Sequence, residues 1–233
     1  MTITQNRQNS WLNFYHSSIG KKIITGITGL GLSLFVLVHM LGNLVYLGDR
    51  QSYNQLGHRI EGLSFLLYGI ELILLASVIF HIAIGISIRL NSMKSRPTAY
   101  HELKSAGQPS KQSLSSRSMA ITGLILLSFL VWHLLSFKFG TYYETTVEGV
   151  VVRDLARLVT EKFQSPLYTF GYVGCIALLG LHLRHGIWSA WQSLGVLNSR
   201  TSSFVYRSST AIAILIAIGF MTLPLTIYFG IIG

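Results

Sequence analysis

Five stretches of this chain are each long and apolar enough to cross a lipid bilayer. A crossing needs about 20 consecutive apolar residues, because the hydrocarbon core is about 30 Å thick. Each stretch must be helical, since a lone strand in lipid would leave its backbone amides and carbonyls without partners. We therefore predict an all-α integral membrane bundle. It forms a single domain over residues 1–233, with spans at about 23–47, 63–88, 119–137, 167–190 and 208–232.

Composition and charge agree with a multi-pass membrane protein and indicate its orientation. Half of the 233 residues are hydrophobic and 11% are charged, which excludes an ordinary soluble domain. With the N-terminus in the cytoplasm, twelve of the 18 Lys and Arg residues fall in cytoplasmic segments, as expected for inside loops. The net charge of +10 therefore reflects topology and not a nucleic-acid partner. We predict an N-in, C-out chain, and no cleavable signal peptide because the first 22 residues are polar.

Each of the first four spans has a histidine inside it, span four has a second one at His185, and the fifth span has none. An ionisable side chain within a membrane marks function by default, although a lone histidine can also serve as an interhelical hydrogen-bond partner. From the helical rise, His39 and His133 lie about 24 and 21 Å from the cytoplasmic side. His81 and His182 lie about 12 Å from it, because spans two and four run inward. The four histidines thus form two pairs, at levels about 10 Å apart.

A glycine follows two of these histidines at the same spacing. Gly85 lies four residues after His81, and Gly186 lies four residues after His182. Positions i and i+4 share one face of a helix, so each glycine leaves bare backbone beside an imidazole. A flat ligand bound through the histidine can lie against that backbone, where a larger side chain would obstruct it.

Two imidazoles at each level suit a haem iron that is held from both sides within a helical bundle. Zinc also accepts imidazole, but two ligands are too few for a closed tetrahedral site. A proton-relay chain is an alternative, although it does not explain the two glycines. The single Cys175 lies in span four and no Cys-x-x-Cys-His sequence is present, so any haem is held non-covalently.

These features together resemble a known family, the five-helix dihaem cytochrome b subunits of succinate dehydrogenases and fumarate reductases. The resemblance covers the whole chain, including a fifth span without a ligand. Four motifs occur in the family's order, each on its own span. They are Val38-His39 with Gly42-Asn43, then His81-x-x-x-Gly85, then Trp132-His133, and finally His182-x-x-x-Gly186-Ile187-Trp188.

The resemblance implies a membrane anchor with two b-type haems that carry electrons between an iron–sulfur protein and a quinone, menaquinone or ubiquinone. His39 and His133 would hold the outer haem, and His81 and His182 the inner one. The implied location is the cytoplasmic (inner) membrane of a bacterium. Two cytoplasmic partners are implied, the iron–sulfur protein and a flavoprotein that interconverts succinate and fumarate.

The chain itself has no nucleotide-binding glycine motif and no cysteine cluster, so dicarboxylate chemistry would belong to those partners. One alternative of the same class is the cytochrome b subunit of a hydrogenase or a formate dehydrogenase. An alternative of a different class is a haem-free protein that translocates protons or serves as a structural anchor.

Several polar residues near the inner ends of the spans are candidates for contacts to haem propionates, although ordinary interfacial anchoring explains the cations equally well. These candidates are Lys22, Arg89, Arg184 and His185. The polar inner loop 91–118 and residues 194–206 form a candidate docking surface for the partners. We expect His16 and His101 to be solvated.

A quinone exchanges protons at its carbonyl oxygens, so its site needs an acid or an imidazole within hydrogen-bond reach. The loop that enters span two supplies His58, Arg59 and Glu61 near the expected edge of the outer haem, and the resemblance implies a glutamate in this region. Glu71, within span two, is either a structural acid or part of a proton route to this site. In the long outer loop 138–166 we also predict a short amphipathic helix at 154–159 on the outer surface.

Overall fold

A computed structural model describes residues 13–15, 17–95 and 114–232 of the chain. Within these residues, five helices are long and apolar enough to cross a membrane, which confirms the predicted multi-pass membrane character. Helices are labelled α1 to α7 in chain order. The five long helices are α1 (Ser18–Leu44), α3 (Phe65–Lys94), α4 (Leu114–His133), α6 (Pro166–Ser193) and α7 (Ser202–Tyr228).

The ends of the long helices differ by several residues from those predicted from hydropathy. Helix α1 begins before the predicted residue 23, because the Ser17 hydroxyl caps it by accepting a hydrogen bond from a first-turn amide at 2.9 Å. Helix α4 continues as a π-helical segment, Leu134–Lys138, directly after His133. Helix α7 lies several residues earlier than the predicted 208–232, and Gly230 takes a positive φ of 66° just after it ends.

The segments between the long helices at one end of the bundle fold into a small cap. We define the cap as residues 49–64 and 139–165, and we call its side of the bundle the cap end. The opposite side, where α1 and α7 begin, is the arm end. The cap contains helix α2 (Arg50–Glu61), strands β1 (Glu144–Val147) and β2 (Val150–Arg153), and helix α5 (Leu155–Phe163).

The structure is compatible with the predicted helical membrane bundle, and it adds one short hairpin, β1–β2, within the cap. The strands pair antiparallel through a two-residue turn, Glu148-Gly149, in which both residues have positive φ. That turn geometry matches the twist of the two flanking strands. Both strands are rich in Thr and Val, whose branched side chains favour extended backbone. Strands of four residues are short enough for a hydropathy search for helices to miss them.

Helix α5 is the predicted amphipathic helix, and it extends to Phe163. Its first turn is capped by Asp154, which accepts a hydrogen bond from Arg157 N at 3.0 Å. The apolar face, however, packs inward and does not lie on a membrane surface. Ala156, Val159 and Phe163 are buried in one cluster with residues of the long helices. The cap is therefore fastened to the bundle by apolar contacts.

Helix α6 lies at the centre of the bundle and packs against α1, α4 and α7. Small residues allow the close approach. A side-chain carbon at Gly26 would lie 3.5 Å from Ala190, and one at Gly180 would lie 3.1 Å from Ala217. Helix α3, in contrast, packs mainly on α1 and leaves most of its apolar side chains exposed.

Two polar contacts join the ends of α3 to its neighbours. At the arm end, Lys21 Nζ donates a hydrogen bond to Ser87 Oγ at 2.8 Å. At the cap end, Glu71 forms an ion pair with Lys138. These contacts show that α3 runs antiparallel to both α1 and α4, as consecutive spans must.

Some predicted features lie outside the described residues. These are His16, His101 and the middle of the proposed docking loop, residues 96–113. Of that surface, the structure describes residues 91–95, the beginning of α4, and the connection 194–201.

Candidate functional site

The four intramembrane histidines meet in two pairs, each formed across two helices. The cap-end pair is His39 on α1 and His133 on α4, whose ring centres lie 5.7 Å apart with an angle of 83° between the ring planes. The arm-end pair is His81 on α3 and His182 on α6, with ring centres 6.4 Å apart and planes at 65°. The structure thus brings together the same partners that the depth argument paired.

Contacts between helices fix the separation of the two pairs. Thr28 on α1 and Thr122 on α4 each lie eleven residues before the cap-end histidine of the same helix. Each threonine Oγ1 contacts an arm-end histidine, at 3.3 Å from His81 Nδ1 and at 3.0 Å from His182 Nδ1. Eleven residues of helix rise about 16 Å. The two levels are therefore farther apart than the roughly 10 Å expected from span boundaries.

The ring-centre spacing in both pairs is close to that of two imidazoles that share one metal ion. Two ring nitrogens that bind one metal from opposite sides, each at about 2 Å, hold their ring centres about 6 Å apart. Beside the arm-end pair there is room for a flat ligand, because a side chain at Gly85 or Gly186 would meet nothing within 4 Å. In the cap-end pair, His133 Nδ1 is buried and has no hydrogen-bond partner among the described residues. Two imidazoles and open glycine faces are the donor set and the space that a haem requires.

The arm-end histidines have polar partners on the neighbouring helices. Besides its contact to Thr28, the His81 ring lies against Gly29, where a side-chain carbon would be 3.0 Å from Cε1. The His182 ring lies against Gly123 in the same way, at 3.5 Å from the corresponding position. A threonine and the glycine that follows it therefore surround one edge of each arm-end ring.

The cap-end histidines are instead enclosed by aromatic side chains. Phe35 stacks on His39 with ring centres 5.5 Å apart. His133 lies between Phe129 and Phe137, with ring centres 6.0 and 5.5 Å away. The enclosing side chains come from four helices, because Phe220 on α7 and Tyr172 on α6 also contact the two imidazoles.

One polar chain reaches the cap-end pair from the cap. Tyr53 OH donates a hydrogen bond to Asn43 Oδ1 at 3.1 Å, which leaves the amide nitrogen of Asn43 facing His39. That nitrogen donates a hydrogen bond to His39 O at 2.8 Å and lies 3.4 Å from His39 Nε2, so Asn43 is a polar neighbour of the imidazole. Burial raises the pKa of Tyr53 to about 12, so the phenol stays protonated and keeps donating.

The candidates for propionate contacts are not equally placed. Lys22 and Arg89 are exposed near the arm end. Arg184 is engaged elsewhere, because it donates to Tyr206 OH at 2.6 Å. His185 packs against Trp188, with ring centres 6.2 Å apart, whereas the ring partner of His81 is His182.

The quinone candidates divide into two groups. His58, Arg59 and Glu61 are exposed at the last turn of α2, directly before α3. Glu71 lies within α3 and is paired with Lys138, at the end of the π-helical segment that follows His133. The first group is free to meet a ligand at the cap end, whereas Glu71 already has a partner.

Sequence reasoning missed the threonines that contact the arm-end histidines. The sequence did contain a signal for them, because Ile-Thr-Gly-Leu occurs at 27–30 and again at 121–124. In each copy the threonine lies eleven residues before a histidine, His39 in the first and His133 in the second. The aromatic enclosure and the polar chain to Tyr53 had no comparable signal, since aromatic residues are frequent throughout the chain.

Comparisons of the chain with protein-family models, with curated proteins and with solved structures find no match. The interpretation of the site therefore depends on its residues, their geometry and the resemblance of their motifs. Among the residues that the structure describes, no group of three or more His, Cys, Asp or Glu side chains could hold a metal ion.

Proposed function

We propose that this chain is the membrane-anchor subunit of a succinate:quinone oxidoreductase, a succinate dehydrogenase or fumarate reductase, and that it holds two b-type haems. The observation that carries the haem proposal is the meeting of four intramembrane histidines in two pairs, with the ring spacing that a shared metal requires. A single pair would be an ordinary interhelical contact. Two pairs at two depths are what an electron path across a bilayer needs.

A haem held by each histidine pair would supply one-electron chemistry, at a potential set by its ligands and their surroundings. The chain supplies the ligands, their orientation and a dry environment. His39 and His133 are enclosed by aromatic rings that keep water away from the cap-end pair. Gly85 and Gly186 leave the arm-end pair open on the face where a side chain would obstruct a flat ligand.

In this proposal the arm end faces the cytoplasm and receives the iron–sulfur partner. The excess of Lys and Arg in the arm-end segments supports that orientation. Lys21 is half-buried there and donates to Ser87, while Lys22 and Arg89 are exposed and available to anionic groups. The choice of succinate and fumarate as the partners' substrates depends on the family resemblance, because this chain carries no dicarboxylate chemistry of its own.

The quinone would bind at the cap end, beside the His39–His133 pair. Glu61 and His58 are exposed where α2 meets α3, and either can hold a proton for a quinone carbonyl oxygen. Glu71 has a different role in this proposal, since its ion pair with Lys138 joins α3 to α4. We therefore assign proton transfer to Glu61 and a structural role to Glu71.

The proposal is tested by purifying the tagged full-length chain from the membranes of its own host in a mild detergent. We expect a reduced-minus-oxidised spectrum of b-type haem, and two co-isolated soluble subunits, one with flavin and one with iron–sulfur clusters. The complex should reduce quinone when succinate is added. Co-isolation of a hydrogenase or formate dehydrogenase subunit would keep the haem assignment and reject succinate. Purified protein without a haem spectrum would reject the whole proposal.

A further inference from the structure

A four-residue sequence occurs once on each of the two helices that carry the cap-end histidines. It is Ile27-Thr28-Gly29-Leu30 on α1, and Ile121-Thr122-Gly123-Leu124 on α4. In both copies the threonine hydroxyl reaches Nδ1 of an arm-end histidine, on α3 in the first case and on α6 in the second. The arm-end pair is therefore surrounded by two copies of one local arrangement.

The direction of these two hydrogen bonds follows from the single proton of each hydroxyl. Thr28 Oγ1 donates that proton to Ile24 O at 2.8 Å, and Thr122 Oγ1 donates to Ser118 O at 3.0 Å. Only the oxygen lone pairs then remain for the imidazole. Nδ1 must therefore carry the ring proton, and Nε2 carries the lone pair that can bind a metal.

A glycine follows each threonine, and at Gly29 the missing side chain admits the histidine ring. A side-chain carbon at Gly29 would lie 3.0 Å from His81 Cε1 and 3.5 Å from Nδ1, so the ring would have to move. At Gly123 the distance to His182 Cε1 would be 3.5 Å, which is an ordinary contact. Each threonine thus fixes how its histidine ring is turned, and Gly29 also allows the His81 ring to approach α1 closely.

We infer that Thr28 and Thr122 are positioning residues for the arm-end haem. Each accepts a hydrogen bond from the Nδ1–H of His81 or His182 and thereby leaves the Nε2 of that histidine as the nitrogen that would hold a haem. This inference rests on the proposed haem function, and it assigns to the repeated sequence a role that the histidine pairs alone do not require.

The hydrogen bonds have a consequence for redox behaviour. An imidazole whose Nδ1–H is hydrogen-bonded is a more basic ligand, and a more basic ligand stabilises ferric over ferrous iron. Loss of the acceptor should move the potential of the arm-end haem to more positive values. It should also weaken haem binding at that site by roughly tenfold, because partners of a metal ligand typically contribute 10- to 100-fold to affinity.

The test is a potentiometric titration of the purified holoprotein, followed at the haem absorption bands. Thr28→Val and Thr122→Val remove the hydroxyl and keep the branched shape, whereas Thr28→Ser and Thr122→Ser keep the hydroxyl. Thr222→Val is the matched control, because Thr222 on α7 also donates to a carbonyl one turn earlier, at 2.9 Å, but has no histidine beside it. The arm-end titration step is identified as the one that is absent from His81→Ala.

We expect the valine variants to shift the arm-end step to more positive potential, the serine variants to restore it, and the cap-end step to stay unchanged in all of them. Loss of the arm-end haem from the valine variants with retention in the serine variants would also support the inference. An unshifted arm-end step in fully loaded valine variants would overturn it, as would equal shifts or losses in the serine variants. Wild-type protein without haem would overturn the proposed function instead, and this inference with it.

Discussion

The two histidine pairs of this protein are held in place by different kinds of contact. At the arm end, hydroxyl groups on α1 and α4 meet the Nδ1 atoms of His81 and His182. At the cap end, His39 and His133 are surrounded by phenylalanine rings, and His133 Nδ1 has no hydrogen-bond partner among the described residues. Each arm-end histidine has a hydroxyl partner, whereas the cap-end pair is enclosed mainly by aromatic packing, with Asn43 as a polar neighbour of His39.

This difference indicates where each site should be sensitive. A hydrogen bond specifies a tautomer and a direction, so the arm-end pair should respond to removal of a single oxygen atom. Aromatic packing specifies position and excludes water, so the cap-end pair should respond to loss of volume. The following predictions test this contrast, from the largest expected effect to the smallest.

The largest effect should come from the histidines themselves. Replacing His81 or His182 with alanine should remove the arm-end haem and leave the cap-end haem, because the two pairs share no ligand. Replacing His39 or His133 should do the reverse. Haem content per chain and the redox titration of each variant would measure this.

His185→Ala is the matched control, since His185 packs against Trp188 and is not the ring partner of His81. Loss of a haem from His185→Ala, with both haems retained in His182→Ala, would contradict the assignment of the arm-end pair. Loss of both haems from every histidine variant would show that the two sites are not independent.

A large effect confined to the cap end is expected from Glu61→Gln. The glutamine keeps the shape of the side chain but cannot take up a proton, so quinone-linked turnover should fall by at least about tenfold, as for removal of a general acid or base. Both haems should remain, and their content serves as the folding control. Near-normal turnover with both haems present would reject Glu61 and leave His58 and Glu71 as candidates.

The ion pair of Glu71 offers a matched comparison for that experiment. Glu71→Gln should weaken the junction between α3 and α4 and change turnover less than Glu61→Gln does, because Glu71 already has Lys138 as its partner. The same turnover assay with the same haem control applies. A greater loss of turnover in Glu71→Gln would exchange the roles assigned to the two acids.

An intermediate effect confined to the arm end is expected from Gly29→Ala. The added carbon would lie 3.0 Å from His81 Cε1, so the ring must move by a few tenths of an ångström, and the arm-end haem should bind more weakly. Gly123→Ala places its carbon 3.5 Å from His182 Cε1 and should change little. Haem retention during gel filtration compares the two variants. Equal loss from both, or an effect on the cap-end haem, would contradict the geometry of the threonine–glycine arrangement.

The sequence was sufficient to predict the five spans and the partner of each histidine. Both depend on quantities that a sequence contains, the length of an apolar stretch and the number of residues between its end and a histidine. The separation of the two levels was underestimated, because the predicted spans misplace the ends of the helices that carry the histidines by several residues, for example at Ser18 of α1 and Lys94 of α3. Errors of a few residues at each helix end add up to several ångströms of depth.

The contacts between helices could not be predicted in the same way. The contact between Thr28 and His81 depends on how α1 and α3 are rotated about their axes. Both helices are apolar on almost every face, so their sequences do not indicate which face is turned toward the neighbour. The same reason applies to the pairing of Arg184 with Tyr206. In the cap, the hairpin depends on a two-residue turn at Glu148, which a search for long apolar helices does not detect.

The smallest effect should come from Tyr53→Phe at the cap end. Burial raises the pKa of Tyr53 from 10.0 to about 12, so the folded chain keeps a proton that the unfolded chain releases above pH 10.0. Stability of the cap should therefore fall as the pH rises through this window, and this part of the fall should be absent from the phenylalanine variant. Retention of the cap-end haem after alkaline incubation measures it. Tyr142→Phe, at an exposed tyrosine of the cap, is the control, and an equal effect of both variants would contradict the role of Tyr53.

The most direct test of the central claim is the number and type of haems in the purified wild-type chain. We expect two haems per chain, both low-spin with two histidine ligands in the electron paramagnetic resonance spectrum of the oxidised protein, and two steps in the redox titration. One haem per chain, or a high-spin signal that shows an iron with a single histidine, would contradict the assignment of one of the pairs. Fully folded protein without a haem absorption band would contradict the assignment of both pairs.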